Sequence, residues 1–257
     1  MQHWKQARHN IKITIKNMQK ILGYMRKAID EYNMIEDGDR IAVALSGGKD
    51  STTMLLGLKN LQRFYPKKFE IIGITINPGF EFFDSSNLKA LCDKLNVPFF
   101  EEFSHTKEIV FDIRKEKNPC SLCANLRRGI LNSVAKREGC NKIALGHNED
   151  DVLETFFLNL LYAGNINTFA PVSYMDRSQI TLIRPLIYAP EKYIRSFVKK
   201  NNITPMPKCC PMDGTSKRED MKNLIQTFQK YIPTVRANLY GAIKRSNIKG
   251  WESPEKK

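Results

Sequence analysis

The run Arg40-Ile-Ala-Val-Ala-Leu45, passing directly into Ser46-Gly-Gly-Lys-Asp-Ser51, constrains this chain more than any other stretch. Its first half is apolar and β-branched, as a buried strand requires, and Met54, Leu55, Leu56 and Leu58 continue its second half as a helix. Gly47 and Gly48, at the turn, lack a Cβ, so the backbone there can take left-handed angles and approach a ligand closely. Ser46 and Ser51 supply hydroxyls, and the helix start supplies unpaired N–H groups and the positive end of a dipole. Such a turn is an anion cradle suited to phosphate. It is not the P-loop of kinases and GTPases, because no Gly-x-x-x-x-Gly-Lys-Ser/Thr spacing surrounds Lys49. The alternative is an ordinary glycine turn, which does not call for this hexapeptide between a strand and a helix.

The rest of the chain repeats the strand-then-helix pattern. Phe69–Ile76, Val97–Phe103 and Lys142–Leu145 read as further buried strands, and Gln179–Ile183 as one more. Helices are expected over Met18–Asn33, Asn87–Leu95, Ala124–Glu138, Asp150–Leu161, Glu191–Asn201 and Lys217–Lys230. Alternation of this kind predicts an α/β fold: a parallel twisted sheet with helices on both faces and its ligand site beyond the strands' carboxyl ends. Three regions are expected: 1–35, a basic segment and amphipathic helix; 36–230, the main domain; and 231–257, a helical or disordered tail, with disorder expected from Trp251 onward.

Among 257 residues, 41 Lys and Arg against 27 Asp and Glu leave a net charge of +14. That excess fits a polyanionic partner, nucleic acid first, with a lysine-rich surface bias as the alternative. No apolar run reaches the ~20 residues of a membrane span, and the N-terminus lacks a signal-peptide core, so a cytoplasmic location and no membrane partner are expected. Six cysteines in such a chain do not suggest a disulfide framework. Cys92 and Cys140 stand alone and read as small buried hydrophobes.

Two further clusters carry chemistry. Gly146-His-Asn-Glu-Asp-Asp151 follows the fourth strand, and its acids Asp150 and Asp151 exceed what capping one helix needs. If that strand end faces the glycine turn, these carboxylates can place Mg2+ on a triphosphate. Pro119-Cys-Ser-Leu-Cys123 leads into Leu126-Arg-Arg-Gly129. A lone Cys-x-x-Cys is ambiguous among zinc, a redox pair and an iron–sulfur cluster. The adjacent Cys209 and Cys210 cannot easily both reach one tetrahedral metal, which favours three thiolate ligands and one open position.

Together these segments, with a late Cys-x-x-x-Gly from Cys210 to Gly214, resemble the tRNA 2-thiocytidine synthetase family, a branch of the N-type ATP pyrophosphatases with an adenine nucleotide alpha hydrolase-like fold. The resemblance covers roughly residues 18–225. It implies that Ala44, Ser46, Gly47, Gly48, Lys49, Asp50, Ser51 and Gly146 bind ATP, with Lys49, Asp50, Asp150 and Asp151 catalytic and Asp50 and Asp150 on Mg2+. It implies a 4Fe-4S cluster on Cys120, Cys123 and Cys210, and tRNA contacts from Arg127 and Arg128. The expected activity is adenylation of a tRNA cytidine and insertion of sulfur from sulfide or from a cysteine desulfurase, by a homodimer. Left open are a uridine or non-RNA acceptor, a zinc-stabilised binding module without catalysis, and Cys209 as a persulfide carrier.

Overall fold

The computed structural model describes residues 18–115, 119–207, 209–212 and 217–252. The basic stretch 1–17, Gly214 and the last five residues, 253–257, lie outside the described residues.

Ile21, Met25, Ala28 and Ile29 recur at helical spacing and form the buried stripe of α1 (Gln19–Glu31), which closes before Asn33 in the left-handed region at φ 47°. The run that opens the site is β1 (Asp39–Ala44), whose Ile41, Ala42 and Val43 are fully buried, and it feeds α2 (Lys49–Leu61). There follow β2 (Phe69–Asn77), α3 (Ser86–Leu95), β3 (Phe99–Phe103), a π-helical turn (Glu108–Ile113), α4 (Pro119–Arg137), β4 (Lys142–Ala144) and α5 (Glu149–Tyr162). The described chain continues through β5 (Val172–Met175), β6 (Ile180–Ile183), α6 (Glu191–Lys200), α7 (Lys217–Tyr231) and α8 (Val235–Arg245).

The sheet order is β3-β2-β1-β4-β6-β5, parallel throughout except for β5 at the edge, which pairs antiparallel with β6. From β1 the chain proceeds outward to β2 and β3, whereas β4 and β6 lie on β1's other side. The boundary between β1 and β4 is therefore the topological switch point, where a crevice opens beyond the strand ends. Gly47 follows one of these strands and Gly146 the other.

Helices cover both faces, as expected. On one face a continuous apolar cluster joins Ile21, Met54, Val152, Phe197, Ile243 and Trp251. On the other, Leu131, Val134 and Ala135 of α4 pack on Ile72, Ile74, Ile143 and Leu182.

Two expectations are corrected and one element is added. Trp251 is not disordered: it is 1% exposed, donates from its indole Nε1 to the Phe169 carbonyl at 3.2 Å, and meets Tyr240 edge-on. The cysteine pair does not precede its helix, because α4 starts at Pro119, a residue suited to the first turn since it has no N–H to leave unpaired. The short edge strand β5 was not expected; Val172-Ser-Tyr-Met175 is half-exposed and too brief to show alternation. Cys92 and Cys140 are buried as expected, and burial pushes their thiols up to about 12 and about 11.

Candidate active site

Two helices begin at the switch point, and their starts differ. At α5 Asn148 closes a capping box: its side-chain oxygen accepts from the Asp150 and Asp151 amides at 2.9 and 3.3 Å, and Asp151 accepts from the Asn148 amide at 2.9 Å. At α2 the residue before the first turn is Gly48, and no side chain caps the helix. The α2 amides thus lie open at the positive end of a helix dipole, the arrangement that receives phosphate.

The turn itself is held from several sides. Gly47 has φ 77°, and a Cβ there would meet Met206 Sδ at 2.3 Å, so both backbone angle and space demand glycine. Met206 also donates its amide to the Gly47 carbonyl at 2.9 Å. Ser46 Oγ and Ser51 Oγ lie 3.2 Å apart, and Ser51 Oγ donates to the Gly48 carbonyl at 3.1 Å. Gly146, two residues beyond β4, comes so close to α2 that a Cβ would sit 3.0 Å from the Ser51 amide nitrogen, which favours glycine here.

Lys49 and Asp50 form one charged knot. Lys49 Nζ lies 2.7 Å from Asp50 and 2.8 Å from Glu191, the first residue of α6, and Asp50 Oδ1 accepts from Asn148 at 3.0 Å. Burial works to lower the Lys49 pKa, but Asp50 and Glu191 outweigh it and the ammonium is held above its usual range. Burial likewise opposes ionisation of Glu191, yet Lys49 and Arg195, with Lys222, bring it down to about 2. Burial, with Arg184 and Arg218 adding to it, drives His147 down to about 3, so its imidazole is neutral at working pH; Arg184 Nε donates to its Nδ1 at 3.3 Å.

The two paired acids part company. Asp151 stays on the loop side: burial, with the Asp50 charge among the lesser causes, raises it to about 6. Asp150 turns the other way, accepting from the Glu191 amide at 2.7 Å and lying 2.7 Å from Arg236 of α8. Of the sequence-expected acids, Asp50 and Asp151 are linked through Asn148, which donates to both, whereas Asp150 is engaged by Arg236 and the Glu191 amide.

Further along α5, burial and then the neighbouring Asp151 raise the 9%-exposed Glu154 to about 7. A carboxyl raised in the folded state binds protons more tightly there than when unfolded, so stability falls as pH rises between about 4.5 and 7 and the full penalty applies above that. Glu154→Gln is accordingly expected to stabilise the protein by about 2 kcal/mol at pH 8 and to leave it unchanged near pH 4. Urea melts at the two pH values measure this, and an equal effect at both would refute it.

Cys120 and Cys123 sit three residues apart on one side of α4's first turn. Burial raises the Cys123 thiol, Arg127 opposes this, and the nearby Cys210 and Cys120 raise it further. The segment after α6 that places Met206 over Gly47 leads on to Cys210, near enough to act electrostatically on the Cys123 thiol. None of the six cysteines is in a disulfide, and among the described residues no three His, Cys, Asp or Glu side chains are gathered into a metal-binding group. Between the phosphate turn and α4 lies a cavity of about 380 Å3 lined by Ala44, Ser46, Arg127, Arg128, His147 and Arg184. Asn148, Glu191, Arg184 and Met206 were not singled out from sequence. Asn148 before three acids was a readable helix cap, whereas nothing near Glu191 or Met206 tied them to the turn.

An open glycine turn at the switch point of a parallel sheet is the place of a nucleotide-phosphate loop, and the family model described as a PP-loop domain matches residues 14–207. The tRNA-cytidine(32) 2-sulfurtransferase of Citrifermentans bemidjiense is 38% identical over 232 residues, 89% of this chain and 90% of that protein. The protein of that name from Syntrophotalea carbinolica is 39% identical over 228 residues, 88% of each chain. By these matches the chain belongs to the PP-loop family that contains the tRNA-cytidine(32) 2-sulfurtransferases. In fold it is similar to the U34-tRNA thiolase NcsA of Methanococcus maripaludis, solved with its 4Fe-4S cluster, at TM-score 0.71 and 23% identity over 89% of this chain and 78% of that one.

Proposed function

We propose that this protein is an ATP-dependent tRNA sulfurtransferase that converts a cytidine to 2-thiocytidine. The observation that carries the reading is the shared cavity: Ala44, Leu45 and Ser46, which lead into the phosphate turn, and Ala124, Asn125, Arg127 and Arg128 of the helix that bears Cys120 and Cys123 line one space. The relatives' name supplies the base.

Replacing a carbonyl oxygen with sulfur fails directly because oxide is a poor leaving group, and adenylation removes that obstacle. The base O2 attacks the α-phosphorus of ATP, the bond to the β-phosphate oxygen breaks, and pyrophosphate leaves against the α2 amides, Ser46, Ser51 and Lys49. A sulfur nucleophile then adds at C2, and AMP departs with the former base oxygen. Lys49 is held charged and so meets the leaving phosphates as a cation. Neutral His147 and the Arg184 guanidinium wall the base's side of the cavity.

An acid beside a triphosphate is repulsive without a cation between them, so Asp50, with Asp151 across from it, fits Mg2+ held jointly with phosphate oxygens. An iron–sulfur cluster is assigned to Cys120, Cys123 and Cys210, supported by the first two sharing a helical turn and by the effect of Cys210 and Cys120 on the half-buried Cys123 thiol. That cluster, when bound, supplies a soft Lewis-acidic iron free of cysteine, suited to hydrosulfide. Arg127 and Arg128 are assigned to tRNA phosphates at the cavity mouth. The sulfur comes from sulfide or a desulfurase, and the reading carries a cytoplasmic homodimer. Among the described residues no helix is long and apolar enough to cross a membrane.

The test is nucleoside analysis of tRNA after anaerobic reaction of the reconstituted protein with ATP, Mg2+ and sulfide. 2-Thiocytidine is the expected product. Thiouridine in its place would move the protein to the other base, and no thiolated nucleoside would overturn the assignment.

A further inference from the structure

A concavity of about 680 Å3 lies away from the cysteine helix, between α1, α5, α6, α7 and α8. Six cationic side chains line it: Lys27, Lys192, Arg195, Lys222, Arg236 and Lys244. Its carboxylates are Glu149, Asp150 and Glu191, and each already faces a cation. Asp150 lies 2.7 Å from Arg236 and Glu149 3.7 Å, while Glu191 meets Lys49, Arg195 and Lys222 at 2.8, 3.0 and 3.1 Å. Positive charge is left over. Lys27 and Lys192 lie over the rings of Tyr188 and Tyr193, at 5.3 and 5.2 Å, and among the described residues neither pairs with a carboxylate. Arg236 Nη2 is buried and close to Asp150 but out of alignment, so it has no hydrogen-bond acceptor among the described residues.

We propose that this basic concavity docks the sugar–phosphate backbone of the RNA substrate; the inference rests on the tRNA reading above. Cations that stand over aromatic rings, without carboxylate partners, are what phosphodiesters and riboses need, and releasing counterions from RNA drives such contacts. The volume exceeds what one phosphate ion would fill. The net charge of +14 agrees with a polyanion. Position favours the substrate over an unrelated RNA: Glu191 joins Arg195 and Lys222 of the concavity to Lys49, so one side chain links this surface to the phosphate turn.

The experiment compares the wild type, Lys27→Ala/Lys192→Ala, and a control with the same charge change on the exposed face of α3, Lys89→Ala/Lys94→Ala. All four lysines are exposed, so folding is preserved, which thermal melting checks. Affinity for transcribed tRNA is measured by fluorescence anisotropy from low to physiological salt, and ATP affinity is measured without tRNA. The concavity variant is expected to bind tRNA about tenfold more weakly, with the log–log salt slope reduced by about two and ATP binding unchanged. The control is expected to lie within twofold of wild type. Equal losses in both variants, or none in the first, would overturn the docking site while leaving the tRNA reading standing. A wild type that binds no tRNA would overturn both. Unchanged tRNA binding, with thiolation lost only when a desulfurase replaces inorganic sulfide, would make the surface a protein interface and also overturn the RNA assignment.

Discussion

Asp50→Ala is expected to lower tRNA-dependent pyrophosphate release from ATP by about a thousandfold while leaving the protein folded. Asp50 stands in the first turn of α2, between the Lys49 ammonium and the Asn148 amide, with Asp151 near. A first-turn acid favours its helix dipole by under about 1 kcal/mol, so its removal leaves the fold intact. Against a bound triphosphate its charge is tolerable only through an intervening cation, and losing that cation removes charge neutralisation where the α-phosphorus is attacked. Asp50→Asn sharpens the test, since the amide can still bond Asn148 but binds Mg2+ poorly. Release at the wild-type rate by the Asn variant would show that Asp50 only positions its neighbours, and wild-type release by the Ala variant would remove the turn from the reaction.

Complete loss of bound iron is the second large effect, expected in Cys120→Ala, Cys123→Ala and Cys210→Ala but not in Cys209→Ala. Cys120 and Cys123 share one helical turn, and the Cys123 thiol responds to Cys210 and Cys120. Successive residues of an extended chain point to opposite sides, so only one of the two adjacent thiols is expected to face the pair. Iron content and the visible spectrum after anaerobic reconstitution, read beside thiolation, separate ligand from carrier. Iron retained but thiolation lost in Cys209→Ala would mark a persulfide carrier. Iron lost there and kept in Cys210→Ala would exchange the two assignments, and iron kept in all four would end the case for a cluster.

Much of this was legible because local residue choice and global topology agree. The β-branched run, the glycines and the apolar helix that follows it specify strand, turn and helix without help from the rest of the chain, and their place at the switch point follows from alternating elements. The acids of α5 were legible as a pair but not as opposites. Which one faces the loop depends on Arg236, more than eighty residues later, and on the first amide of α6. Trp251 sits in a charged, hydrophilic tail, and only the pocket formed by Tyr32, Tyr240 and the Phe169 carbonyl explains its burial. Glu191 follows a proline at an ordinary helix start, and only tertiary packing sets it against Lys49.

The contact between Gly47 and Met206 also bears on how such a sequence can change over generations. The volume that a side chain at 47 would take is occupied by the side chain at 206, whose amide in turn holds the 47 carbonyl. Nothing is smaller than glycine, so position 206 has no room to enlarge while the turn keeps its shape, and the left-handed angle at 47 calls for glycine whatever stands at 206. The length of chain between Met206 and Cys210 is under the same restraint, because one end is seated on the phosphate turn and the other beside Cys123. Insertions and deletions are therefore expected to spare this interval and to accumulate in exposed connections such as that between α5 and β5.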